Sequence, residues 1–210
     1  MENVYTKARP KHSGSKQLFE NPVLEKLSRT HISVPITIFL SISAGLLFYA
    51  FKHTALPAYL IPLVFMAGTL LFSFLEYLVH RYLFHMSTHT EGRKRMQYIC
   101  HGVHHEYPKD KTRLAMPPLA SIFLATAFFA LYYLVMDTWV FAFLPGFLTG
   151  YAAYLFVHFI VHAYPPPKNV FKALWLNHSI HHYKDQEIAF GVSSPLWDYV
   201  FGTMPEKKPK

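Results

Sequence analysis

The sequence is short of charge and almost without cysteine, and each shortage narrows what the chain can be. Only 15% of its 210 residues are Asp, Glu, Lys or Arg, against 52% hydrophobic. That is enough apolar surface for one compact unit, and hardly enough charge to coat a soluble one. A single cysteine, Cys100, excludes any intrachain disulfide framework and any Cys-rich zinc module. Although it adjoins His101, Cys100 is expected to be a small buried side chain and not a thiolate ligand. Acidic residues are few, 12 against 20 Lys and Arg, leaving a formal charge of +8. Such a balance suits nucleic acid, an anionic membrane surface or membrane orientation, and position along the chain decides among them.

Charge is absent altogether from Ser33 to Phe51, His53 to Leu75, Leu114 to Met136 and Thr138 to Val161. About 20 residues of helix cross a bilayer core of roughly 30 Å, so each run can span one. Four such runs in one short chain leave no amphipathic partners to bury them in a soluble core. An integral, multi-pass, all-α membrane protein with four transmembrane helices is the expectation. The first run follows a 33-residue polar leader and does not read as a signal peptide. Asp137 and Thr138 alone separate the last two runs, which predicts a tight antiparallel hairpin.

Of the 20 cations, 19 precede the first run, lie between the second and third, or follow the fourth; Lys52 is the exception. By the positive-inside rule both termini and the 80–113 segment face the cytoplasm. The aromatic residues sit in the spans and are not interleaved with Arg and Lys, so no nucleic-acid partner is expected. The chain divides into a flexible basic leader (1–33), a membrane domain (34–204) and a basic tail (205–210).

Histidine is what the sequence has in excess, with 14 copies outnumbering all the acids. Ten fall in four clusters: His80 and His85; His101, His104 and His105; His158 and His162; His178, His181 and His182. Residues three and four apart share a helix face, so each three-residue cluster reads as a patch of imidazoles, and His158 with His162 repeats the spacing of four. His80 and His85 do not share a face on an ideal α-helix, because five residues turn about 140°, and a helix end or π-bulge is required there. Imidazoles suit Fe, Zn, Cu or Ni and neither calcium nor magnesium. Ten are too many for one ion; two ions with about five each leave an open position on each octahedral metal. The remaining four, His12, His31, His53 and His89, lack the spacing and are expected at solvent or interface positions.

Carboxylates near the clusters are candidates to orient imidazoles by accepting their outer N–H. Glu76, one turn before His80, leads; Glu106, Asp110, Asp185, Glu187 and Asp198 follow, with Glu106 and Glu187 read as solvated loop charges. Tyr151 and Tyr154, just before His158, are placed to line a substrate channel or to belong to the aromatic belt.

Three stretches then carry a family likeness: Glu76-Tyr-Leu-Val-His80-Arg-Tyr-Leu-Phe-His85, His101-Gly-Val-His-His-Glu-Tyr-Pro-Lys-Asp-Lys-Thr-Arg-Leu-Ala-Met-Pro-Pro118, and His181-His-Tyr-Lys with Phe190-Gly-Val-Ser-Ser-Pro-Leu-Trp-Asp-Tyr-Val-Phe-Gly-Thr203. Over about residues 60 to 203 the sequence resembles the fatty acid hydroxylase and sterol desaturase superfamily. Lys109 to Pro118 and Phe190 to Thr203 bring it closer to the fatty acid 2-hydroxylase branch. The resemblance implies a histidine-rich dimetal site in a cytoplasmic-face helical cap, two iron ions with zinc able to replace them, and O₂ as co-substrate. It implies hydroxylation at C2 of a long fatty acyl chain, free or in ceramide, in a bacterial inner membrane or the endoplasmic reticulum. Many eukaryotic relatives carry a fused cytochrome b5 domain, which the leader cannot hold. An external electron donor such as cytochrome b5, or ferredoxin with a reductase, is therefore expected. Arg113, Lys111, Tyr183 and Ser194 are candidate head-group contacts. Two rivals stand beside this reading: a carotenoid or sterol oxygenase of the same superfamily, and a histidine-rich metal transporter, which would need a polar path through the membrane.

Overall fold

The computed structural model describes residues 10–206, and no strand occurs among them. Residues 1–9 and 207–210, the outer parts of the expected leader and tail, lie outside the described residues. Nine helices follow in order: α1 (Pro22–Leu27), α2 (Ser33–His53), α3 (Ile61–Leu78), α4 (Glu91–Gln97), α5 (Val103–Glu106), α6 (Pro118–Met136), α7 (Val140–Ala163), α8 (Lys172–Tyr183) and α9 (Leu196–Phe201) among the described residues. Two π-helical turns extend them, Val79–Phe84 after α3 and Tyr98–Gly102 between α4 and α5.

Three helical stretches are long and apolar enough to cross a membrane: Ser33–His53, Ile61–Phe84 and Pro118–Ala163. The four charge-free runs yield three because α6 and α7 are joined without a break by a 3₁₀ turn, Asp137–Trp139. Asp137 takes a left-handed conformation at the joint, φ 49°. The chain folds back there: ring pairs Tyr132–Phe143 and Phe128–Phe147 run in opposite chain directions along α6 and α7.

The long helix α7 is the hub, packed along both α2 and α3. Val140, Leu144, Phe147, Leu148 and Leu155 are buried in its core, with Phe39 from α2. Glycine makes the α3–α7 approach possible. A Cβ on Gly68 would lie 2.1 Å from the Phe143 carbonyl, and one on Gly146 would lie 1.9 Å from that of Phe65. Small residues at helix crossings let backbones touch, which is the main source of packing between helices in lipid. Ser43 and Thr69 then donate across the crossings to the carbonyls of Pro145 (3.2 Å) and Gly146 (3.0 Å), beside the helix-interior proline.

The described part of the leader lies along the 106–113 segment. Lys11 N–H donates to the Glu106 carbonyl (2.7 Å), Ser15 hydrogen-bonds Asp110, and Arg113 donates to the Lys16 carbonyl (2.8 Å). Asn21 caps α1 by accepting from Val23 and Leu24.

Candidate metal centre

The helix ends carry the histidines inward. After α3 the backbone changes from α to π winding, and the wider turn brings His80 and His85 to one side, with ring centroids 5.2 Å apart. This is the irregularity that the five-residue spacing requires. The second π turn delivers His101, and α5 continues with His104 and His105. His158 and His162 end α7, and α8 carries His178, His181 and His182.

These ten side chains form two groups of five: His80, His85, His101, His105 and His181; and His104, His158, His162, His178 and His182. Within each group one nitrogen per ring lies within 4.8 Å of all the others. The three-residue patches do not each serve one centre. His101 and His105 belong to the first and His104 to the second; His178 and His182 belong to the second and His181 to the first. The groups adjoin, with His105 stacked on His182 at 4.2 Å.

The nitrogens are spaced as metal ligands would be. In the first group Nε2 atoms pair at 3.0 Å (His80–His101), 2.9 Å (His101–His105) and 3.1 Å (His85–His181). In the second they pair at 3.1 Å (His104–His182), 2.9 Å (His104–His158) and 2.7 Å (His162–His178). With metal–nitrogen bonds of about 2.1 Å, ligands at a right angle stand about 3.0 Å apart. Each group therefore fits a transition ion at its centre, with no carboxylate or thiolate among its members. Burial, reinforced by neighbouring imidazoles, holds His101, His104, His105, His178 and His182 well below the ordinary histidine range. The same causes push His85 down to about 3, and burial with the His85 ring pushes His181 to about 3. Neutral imidazole is the form that ligates.

The carboxylates take different places from those expected. Glu76, Asp198, Glu106 and Asp110 bond to other groups, and peptide carbonyls hold two of the rings. His80 Nδ1–H donates to the Phe190 carbonyl (2.5 Å), and His181 Nδ1–H to that of Ile188 (2.8 Å). Glu76 accepts the N–H groups of Val192 (2.8 Å) and Ser193 (2.9 Å), and the Ser193 hydroxyl. Asp198, fully buried, accepts the N–H groups of Phe190 (2.8 Å) and Gly191 (2.7 Å), and the Thr203 hydroxyl (2.7 Å). Asp185 accepts from Glu187 N–H (3.0 Å). Glu106 is no free loop charge: Lys11 (2.5 Å) and the Tyr98 hydroxyl (2.5 Å) both donate to it. Cys100 is exposed, not buried, because it lies on the outer side of the π turn that sends His101 inward, and it belongs to neither group. His12, His31, His53 and His89 are exposed and outside both groups.

A cavity of about 330 Å³ opens against the histidines. His101 from the first group and His104 and His158 from the second line it, with Tyr151, Tyr154 and Leu155 of α7. Leu18 and Phe19 of the leader, which sequence reasoning did not single out, form another wall. Of the four candidate head-group contacts only Arg113 lines it. Its side chain is 4% exposed, paired with Glu25 (2.5 Å), and it donates to Ser28 (3.0 Å).

Comparison with known proteins agrees with this picture. A family model described as fatty acid hydroxylase matches residues 65–203. The chain is 36% identical over 197 residues to a dihydroceramide fatty acyl 2-hydroxylase of Arabidopsis thaliana, covering 90% of this chain and 80% of that protein. It is 33% identical to the fatty acid 2-hydroxylase of Homo sapiens, over 92% of this chain but 58% of the human protein. A solved structure of full-length Scs7p, in which only the hydroxylase domain is visible, superposes with a TM-score of 0.86 at 33% identity, over 95% of this chain and 76% of that one. With its ten buried or half-buried imidazoles in two groups and its family match running from α3 to Thr203, the chain belongs to the fatty acid hydroxylase family.

Proposed function

We propose that this protein is a membrane-bound dimetal monooxygenase that hydroxylates C2 of long-chain fatty acyl groups, free or in ceramide. The observation that carries this is the cavity, which is lined by imidazoles of both groups and walled by apolar and aromatic side chains. A hydrophobic chain can lie there against both centres, out of contact with bulk water. The printed names of the relatives support C2 as the position and an acyl chain as the substrate.

In this reading His80, His85, His101, His105 and His181 hold one ion, and His104, His158, His162, His178 and His182 hold the other. Two iron ions bound there would supply the activation of O₂ and the cleavage of an unactivated C–H bond, chemistry that no side chain performs. Zinc would fill the same nitrogen shells without that chemistry. The protein's own part is positional. Leu155, Tyr151 and Tyr154 hold the chain beside the imidazoles, and the Arg113 and Ser28 end of the cavity offers polar contact to the acyl oxygen. Electrons arrive from a separate carrier such as cytochrome b5, or ferredoxin with a reductase.

Residues 34–204 form the membrane domain, with α6 and α7 crossing separately to make four spans. A straight helix of the 46 residues from Pro118 to Ala163 would be about 69 Å long, over twice the hydrocarbon thickness. The distribution of basic residues supports placing the histidine-bearing ends on the cytoplasmic face, in a bacterial inner membrane or the endoplasmic reticulum.

The test is lipid analysis of cells expressing the iron-loaded protein with a donor system under ¹⁸O₂. Labelled 2-hydroxy acyl chains are expected, and none from His104→Ala or His181→Ala protein that still inserts in the membrane. Label on ring or mid-chain carbons with none at C2 would overturn the assignment.

A further inference from the structure

The two centres are not supported alike. In the first, Nδ1 of His80 and of His181 are held by carbonyls from one short loop, Phe190 and Ile188. In the second, Nδ1 of His104, His178 and His182 are buried without a hydrogen-bond partner, as is that of His105 alone in the first among the described residues. A ligand imidazole is aimed and made more basic by what its other nitrogen donates to, so the difference bears on how tightly each ion is held.

The loop that supplies both carbonyls is itself under constraint. Ala189, between them, adopts φ +58°, a conformation that residues with a side chain rarely take and that persists only where surroundings enforce it. Two buried or half-buried carboxylates hold the residues that follow it. Asp198 of α9 accepts the N–H groups of Phe190 and Gly191, and Glu76 of α3 accepts those of Val192 and Ser193. Four consecutive amides are thus fixed by two side chains. A peptide turned by these bonds cannot swing its carbonyl away from the ring it orients. Thr203 and Tyr77 complete the clamp: Thr203 donates to Asp198 (2.7 Å), its hydroxyl lies 3.0 Å from that of Tyr77, and its carbonyl accepts Ala189 N–H (2.8 Å). The loop is also tight at Gly191, where a Cβ would lie 2.2 Å from the Ser194 carbonyl and 2.7 Å from Asp198 Oδ2.

We infer that Glu76 and Asp198 are positioning residues for one centre alone, holding the 188–193 loop so that its carbonyls aim His80 and His181 at the first ion, while the ligands of the second ion do not depend on that loop. This rests on the two-ion reading above, and it adds that the ions are separable through residues that touch neither.

The experiment counts metal rather than product. Detergent-purified full-length protein, loaded anaerobically with Fe(II), is challenged with a chelator, and retained iron per chain is followed with time for the wild type, Asp198→Asn, Glu76→Gln and Gly191→Ala. The last variant disturbs the loop and leaves both carboxylates in place. The wild type should hold two ions. Each variant should lose one of them at least about tenfold faster than the wild type and keep the other at the wild-type rate. Adding His181→Ala to Asp198→Asn should leave the slowly lost ion untouched, whereas adding His104→Ala should release it. Equal acceleration for both ions, or unchanged loss from all three variants, overturns the inference. A variant that fails to fold loses both ions and its cooperative melting together, and the remaining two then decide. A wild type that binds fewer than two ions refutes the dimetal reading itself, a result distinct from two ions lost evenly.

Discussion

At the scale of the residue, the division of the imidazoles follows from the pitch of a helix. Adjacent residues differ by about 100°, so the paired histidines at 104–105 and 181–182 cannot aim at one point. A step of four nearly restores the direction, and His101 with His105, His158 with His162, and His178 with His182 each share a centre. His104 and His181, one residue out of that step, go to the other centre. The same burial has a measurable consequence in the metal-free protein. An unfolded chain protonates its histidines near pH 6.5, whereas folded His85 and His181 resist until about 3. Between those values the unfolded state binds more protons, so stability is complete above about pH 6.5 and is lost as pH falls. Each such histidine contributes at most about 1.4 kcal/mol per pH unit. Thermal unfolding of apoprotein in detergent should therefore show Tm dropping steadily from pH 7 to pH 5, and a flat profile would show that the imidazoles are solvated.

At the scale of the element, regular helices make the spans and irregular turns make the site. The π winding at Val79–Phe84 turns an unsuitable five-residue spacing into a shared face, and the one at Tyr98–Gly102 carries His101 into α5. The bundle that holds these turns depends on the contact of α3 with α7. Gly146→Ala would force a methyl group toward the Phe65 carbonyl, where neither backbone has room to give. The expected cost is roughly 1–3 kcal/mol, read as a lower Tm for the metal-loaded protein in detergent. Gly45→Ala within α2, where a Cβ would meet nothing within 4 Å, is the control and should leave Tm unchanged or slightly raised.

At the scale of the whole molecule, the leader, the loop after α5 and the two histidine groups form one connected wall around the cavity. Glu25 accepts the N–H groups of Leu18 (2.9 Å) and Phe19 (3.2 Å), and Arg29 and Arg113 clamp the same carboxylate. Two cavity-lining side chains are thereby held from a segment far away in sequence. Arg113→Ala leaves the half-buried Glu25 carboxylate with Arg29 alone, and losing one of two partners there costs on the order of 1 kcal/mol. Hydrogen exchange at Leu18 and Phe19 should accelerate in this variant while the amides of α7 stay protected. Uniform exchange across both regions would mean that the leader is not a separable wall.

The amino-acid sequence by itself determined what depends on near neighbours. The charge-free runs, the hairpin at Asp137, the break in α winding forced by His80 and His85, and the histidines as the chemical core were all legible because each rests on spacing within a few residues. Only the tertiary structure decided which imidazoles meet, since His85 reaches His181 across 96 positions and His104 reaches His182 across 78. The same holds for Gly68 and Gly146, for the exposure of Cys100, and for Glu76 and Asp198 gripping a loop in place of a ring. Their partners come from segments that only the packing of α3, α7, α8 and α9 brings together, and no local periodicity carries that information.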